Sequence, residues 1–370
     1  EKMLISDAPM GAFVSGGIDS SLIASYANKF SNNDFKLFTA NVIGNYSEFQ
    51  DAQLLSTFLQ KNLYEYRYKP EFFIRDFSKV TWYYESPIVV HTNSIPFSNV
   101  ALLANNNNVK AVLTGEGADE MFMGYPKLLT QRYNKFLKAP YNILDSFYGM
   151  IPQLKNYLSD RGRLGLDGLF EKASQNFTRD LIRDKGIDKL FFLKKELKND
   201  HYSSILMLNE GIISLLWRND RMGMMHSIES RFPFLDEKLL EFAVNLPIKN
   251  KIGMTKKFYN YKHPFLIDKK IVRYSGFDIL PNRLIYKKKK GFPIKGLADI
   301  KLKSQFFKDG FVADLLKLDS HSQIEFFTNN FNNYHISKFA ALEVWGKLFI
   351  MNQSIDEVST FVSSYMLMKS

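Results

Sequence analysis

Over residues 1–125, short apolar runs alternate with segments whose apolar residues recur at helical spacing. This is the pattern of an α/β fold, a parallel sheet flanked by helices. It predicts strands over residues 12–14, 37–43, 64–68 and 111–114, helices over 20–30, 48–60 and 96–105, and a turn at the asparagines 105–108. Beyond Tyr125 the strand signal fades. Ile205, Leu208, Ile212, Leu215 and Leu216 recur at helical intervals, so residues 126–370 read as a mostly helical remainder. Residues 299–335, rich in Lys, Phe, Asp and Asn, follow neither period.

With 370 residues the chain can bury a large core as one big domain or two closely packed ones. No run approaches the roughly 18 apolar residues that a membrane-crossing helix needs, and no secretory leader pattern is present. We therefore expect a cytoplasmic protein without a membrane partner. The absence of cysteine excludes disulfides, thiolate metal sites and a cysteine nucleophile within these residues. A net charge of +11 favours polyanionic ligands without choosing between nucleotide and nucleic acid. Part of the excess lies in the run Lys287-Lys288-Lys289-Lys290, which on charge alone reads as a solvated loop.

The candidate chemistry begins where the first strand ends, at Val14-Ser15-Gly16-Gly17-Ile18-Asp19-Ser20-Ser21. Glycines let backbone approach a ligand closely. The N-terminus of a helix presents unpaired N–H groups and about half a positive charge. Ser15, Ser20 and Ser21 can add hydroxyl donors, and the plainer reading is a tight turn with Asp19 or Ser20 capping the helix. A Walker loop is excluded by the missing lysine, a dinucleotide fingerprint by serine at position 20, and a nucleophile elbow by phenylalanine at position 13.

A second loop, Thr114-Gly115-Glu116-Gly117-Ala118-Asp119-Glu120, again places glycines and acids after an apolar strand. Carboxylates beside a phosphate site repel the ligand unless a cation intervenes, so Asp19 and Asp119 suggest oxygen ligands for Mg2+; an acidic helix cap is the alternative. Two such loops at strand ends of one sheet would line a ligand crevice.

The SGGxDS pattern resembles the pyrophosphate loop of the ATP pyrophosphatases. Together with GEGADE-x-F-x-GY it closely resembles the synthetase domain of the glutamine-dependent asparagine synthetases. Agreement continues in order through Ser47-Glu48, Glu85-Ser86-Pro87, the stretch from Asp220 through Ser227-Ile228-Glu229-Ser230-Arg231-Phe232-Pro233-Phe234-Leu235-Asp236, Leu246-Pro247, Lys269-Lys270-Ile271-Val272-Arg273, Leu280-Pro281 and Lys289-Lys290-Gly291-Phe292-Pro293.

The resemblance implies an adenine nucleotide alpha hydrolase-like core over residues 1–125 and a ligase that adenylates a carboxylate with ATP. Aspartate is the expected acceptor, and ammonia then displaces AMP. It implies that Ser15, Gly16, Gly17, Asp19, Ser20 and Ser21 hold pyrophosphate, with Lys289 approaching a phosphate while its neighbours stay solvated. Asp19 and Asp119 would hold Mg2+, and Val14, Val42 and Gly115 would line the nucleotide pocket. Glu116 would act as base near the reacting carbonyl, and Lys269, from the family's K-x-x-L-R motif, would neutralise charge building on phosphate and intermediate. Simpler roles stand beside these: a helix cap for Glu116, surface charge for Lys269, and a structural ion pair for Arg231 with Asp236. The stretch 229–236 reads equally as scaffold or site.

The family's N-terminal glutaminase, which opens on a cysteine, is not contained in these 370 residues. The implied partners are a small carboxylate and ammonia from a glutaminase domain, a separate chain or free solution, with nucleic acid not expected and a homodimer admissible. We expect the chain to be the synthetase half of something longer. Met121, Met123, Val272 and Tyr274-Ser275 depart from the family pattern near the acceptor side. They leave open an alternative acceptor such as a sugar uronic acid.

Overall fold

The central strand, β1 (Met10–Phe13), is buried along its first three residues, with Ala12 wholly inaccessible. It pairs in parallel with β2 (Lys36–Val42) on one side and β4 (Ala111–Leu113) on the other. β3 (Leu63–Tyr68) extends the sheet beyond β2, and β5 (Glu229–Arg231) beyond β4. The five-stranded sheet thus has the order β3-β2-β1-β4-β5 and is parallel throughout. The chain works outward from β1 to β3 and then returns to the other side of β1, so the connections from the adjacent strands β1 and β4 lead on to opposite sides of the sheet order. That reversal is where open α/β sheets bind ligands.

The computed structural model describes residues 1–31, 34–42, 47–88, 91–126, 129, 199–256, 258–259, 265–289, 294, 296–318, 320–330 and 333–369. The expected helices are present as α1 (Ile18–Phe30), α2 (Phe49–Leu59) and α4 (Ser94–Asn106). The alternation also concealed a fourth, α3 (Glu71–Tyr84). Its buried Phe73, Phe77, Val80, Thr81 and Tyr84 keep helical spacing, but its aromatic and β-branched residues read locally as strand formers.

Two compact units partition the chain. One comprises Glu1–Ala118, Glu210–Leu240 and Val272–Ser370; the other comprises Asp119–Asn209 and Glu241–Ile271. The first contains the sheet. An extensive apolar cluster among the described residues joins α3 to α6 (Asn333–Phe349) and α7 (Ile355–Tyr365), through Phe73, Phe77, Ala340, Val344, Val358 and Val362 among others. The helix α5 (Asn199–Met224) contributes Met222 to this cluster. Segment 299–335, patternless in sequence, supplies a strand at Ile300–Leu302 that pairs antiparallel with Met366–Met368. It also supplies helices at Phe311–Leu316 and His321–Asn330. In the second unit Met123, Leu129 and Ile252 form a small buried cluster, and Gly253–Met254 pairs antiparallel with Leu266–Ile267. No helix among the described residues is long and apolar enough to cross a membrane.

Candidate active site

The loop after β1 turns on Gly16, whose φ of +69° is a left-handed conformation that a side chain would strain. A Cβ there would also stand 2.6 Å from Asp51 Cβ and 2.7 Å from the Ala52 nitrogen, so α2 presses directly on the loop. Gly17 is the N-cap of α1. The loop satisfies its own polar groups: Ser15 N–H donates to Ser20 Oγ at 3.1 Å, Gly17 N–H to Ser15 Oγ at 3.2 Å, and Ser20 Oγ to Gly17 carbonyl at 3.3 Å. Ser15 is exposed, whereas Ser21 is fully buried and its hydroxyl lacks a hydrogen-bond partner among the described residues. Val14, also buried, donates its N–H to Phe38 carbonyl at 2.8 Å. Val42 ends β2 and packs partly buried against the aromatic cluster around α3.

The second loop meets the first at Gly115. A Cβ on it would lie 2.7 Å from Ser20 nitrogen and 3.0 Å from the Asp19 carbonyl carbon and Cβ, so glycine is the residue that lets the two strand ends abut. Glu116 is held from α5: Arg218 Nη2 donates to Glu116 Oε1 at 2.5 Å, and Asn219 Nδ2 to the same oxygen at 3.4 Å. Arg218 also reaches Asn93 Oδ1 at 3.3 Å and lies over the Phe97 ring at 5.1 Å. His91 sits in the same field. Burial pushes its pKa down, the Arg218 charge adds to this, and Glu116 opposes it. Sequence reasoning missed Arg218 and Asn219. The available signal was two polar residues on the face of α5 that buries Ile212 and Met222, where unpaired polar groups are costly.

Asp119 belongs to the second unit, in the short helix Ala118–Met121. Lys269 joins it there: Nζ lies 2.6 Å from Asp119 Oδ1, with the lysine side chain only 1% exposed. Lys269 has a left-handed backbone, φ +53°, and its N–H donates to Phe122 carbonyl at 3.2 Å. Gly124 leaves the space for this pair, because a Cβ there would stand 1.9 Å from Asp119 Oδ1 and 2.1 Å from Lys269 Cε.

The lysine run is not uniformly solvated. Lys289 is exposed, but the Lys287 side chain is only 9% exposed and lies 2.5 Å from Glu48 Oε1 and 2.9 Å from Asp51 Oδ2. It also donates to Gly16 carbonyl at 3.1 Å. Residues 290–293 lie outside the described residues. Arg231 does not take Asp236 as its partner. It pairs with Glu229 at 2.8 Å and donates to the carbonyls of Met3 and Ile5 at 3.0 and 2.7 Å. Asp236 accepts the Lys238 N–H at 3.2 Å at the start of the helix Glu237–Asn245. The reason is local: residues 229 and 231 share one face of a strand, while Asp236 follows a helical turn at Pro233–Leu235.

For a divalent cation the donor chemistry fits. Asp19 in the first unit and Asp119 in the second each stand in the first turn of a helix, and each by itself offers hard carboxylate oxygens. No group of three or more His, Cys, Asp or Glu forms a closed cation cage among the described residues. Mg2+ takes one or two carboxylates and completes its shell with phosphates and water, so a single aspartate on a phosphate loop suits it by donor chemistry.

The asparagine synthase family model matches residues 1–343. Among curated relatives, asparagine synthetase [glutamine-hydrolyzing] 1 of Bacillus subtilis is 26% identical over 313 residues, covering 78% of this chain and 47% of the relative. A putative asparagine synthetase [glutamine-hydrolyzing] of Mycobacterium tuberculosis is 25% identical over 315 residues, covering 79% of this chain and 46% of the relative. A protein named amidase chry2, from Gibberella zeae, is 24% identical over 324 residues, covering 72% and 48%. The chain spans about half the length of these relatives. With a family model matched across most of its length, this chain belongs to the asparagine synthase family.

Proposed function

We propose that the chain forms an amide in two steps: ATP adenylates a carboxylate with release of pyrophosphate, and ammonia then displaces AMP. The observation that carries this reading is the junction of the two glycine loops, where Gly115 abuts the backbone of Asp19 and Ser20 at the helix N-terminus. A carboxylate is anionic and has no leaving group. Joining it to the α-phosphorus of ATP corrects both faults, and the enzyme's contribution is then mainly positioning and charge stabilisation.

In this reading the N–H groups and hydroxyls of Ser15, Gly16, Gly17, Ser20 and Ser21 receive the departing pyrophosphate, exchanging contacts within the loop for contacts to the ligand. Val14, Val42 and Gly115 bound the nucleotide. Mg2+ assigned to Asp19 and Asp119 would offset the charge of the phosphates. Glu116, oriented by Arg218 and Asn219, accepts the proton that the nitrogen loses once ammonia has added to the carbonyl; a base must hold that position before its basicity matters. Lys269 and Lys289 contribute positive charge toward the phosphate and the tetrahedral intermediate.

Aspartate is the acceptor we favour, in keeping with the names of the relatives. The departures at Met121, Met123, Val272 and Tyr274-Ser275 support keeping a second reading, amidation of another carboxylate such as a uronic acid. ATP–pyrophosphate exchange with Mg2+ and a panel of acids tests both, on the native chain and on Asp19→Ala. Aspartate-dependent exchange that disappears in the variant is expected. Exchange with another acid would replace the acceptor, and no exchange with any acid would overturn adenylation.

A further inference from the structure

We infer that Lys287 is a positioning residue that fixes the plane of the Gly16–Gly17 peptide, and thereby aims the Gly17 N–H into the loop where a diphosphate would sit. This rests on reading the loop as a pyrophosphate cradle. Lys287 Nζ donates to the Gly16 carbonyl at 3.1 Å. In a trans peptide the C=O and the following N–H point in opposite directions. Gripping the Gly16 oxygen on one side therefore turns the Gly17 N–H to the other, where it donates to Ser15 Oγ at 3.2 Å. Glycines on both sides of the peptide bond leave its rotation with little steric opposition. The orientation needs an anchor from outside the loop.

The anchor is itself anchored. Glu48 and Asp51, beside the start of α2, hold the ammonium at 2.5 and 2.9 Å. Arg283 Nε donates to the other Asp51 oxygen at 2.8 Å. Buried Arg273 donates to the carbonyls of Ile285 and of Lys287, fixing the backbone from which the lysine reaches out. A lysine so little exposed and charge-paired holds one geometry, unlike a solvated lysine.

The test compares the native chain with Lys287→Met and Lys287→Arg. Calorimetry measures magnesium pyrophosphate and, separately, adenosine; hydrogen exchange measures the Gly17 amide. We expect Lys287→Met to weaken pyrophosphate by about tenfold or more, equivalent to the ~1.4 kcal/mol of one charge-assisted hydrogen bond, with adenosine within about twofold. Gly17 exchange should accelerate by a similar factor, and Lys287→Arg should recover both. If the methionine variant does not fold, Lys287→Gln, uncharged and too short to span the same contacts, carries the same expectation. Weaker pyrophosphate binding with unchanged Gly17 exchange would overturn the inference, since the lysine would then act by charge alone. If the native chain binds no pyrophosphate, the cradle reading fails, and Gly17 exchange still decides whether Lys287 holds the peptide.

Discussion

Arg218 and Glu116, 102 positions apart in sequence, meet at 2.5 Å, with the arginine side chain only 7% exposed. The contact orients one carboxylate oxygen, and Asn219 approaches the same atom. Arg218→Met should therefore slow amide formation by about tenfold or more while ATP–pyrophosphate exchange falls less, because loss of a charged hydrogen-bond partner releases the carboxylate. Arg218→Lys should recover part of the loss. Equal loss of both activities would show that the pair supports the fold and not Glu116 alone.

The abutting loops give a graded glycine series. Gly115→Ala drives a Cβ to 2.7 Å from Ser20 nitrogen, whereas at Gly17 the nearest atom is the movable Ser15 Oγ at 3.1 Å. Overpacking against backbone costs about 1–3 kcal/mol. We expect Gly115→Ala to lower the melting temperature and to remove exchange activity, with Gly17→Ala milder in stability. Thermal denaturation of the two variants checks the order.

The buried pair in the second unit predicts strong coupling. Removing one member of a buried ion pair typically costs about 3–5 kcal/mol, because the other charge stays behind. Asp119→Ala leaves the Lys269 ammonium, 1% exposed, without that carboxylate. Denaturant titration should therefore place Asp119→Ala and Lys269→Met each well below the native chain, with the double variant less destabilised than their sum.

Two histidines give stability a pH slope. Burial comes first in lowering the pKa of both His91 and His226; Arg218 adds to it at the first and Lys79 at the second. A histidine held below its unfolded value of about 6.5 leaves the unfolded chain binding more protons, so stability rises with pH in that window. Their contribution is complete above about pH 6.5 and is lost as pH falls toward the folded values. Replacing both with glutamine should flatten this part of the stability profile. An unchanged slope would assign it to other groups.

Local pattern sufficed for β1, β2, β3 and β4 and for α1, α2 and α4, because strand and helix periods are written in neighbouring residues. It also located the two glycine loops, since a tight turn at a strand end restricts residue type at each position. It failed for α3, whose aromatic face resembles strand composition, and for β5, a three-residue strand of polar residues that needs β4 beside it.

Residue chemistry in sequence order thus determined an α/β fold, the family resemblance and most of the candidate residues. Only the tertiary structure decided which charges face each other: Arg218 with Glu116, Lys269 with Asp119, and Lys287 with Glu48, Asp51 and the Gly16 carbonyl. An ion pair depends on distance and burial, and both are set by chain segments that lie far apart in sequence. A lysine in a run of four carries no local mark of being the one that leaves water.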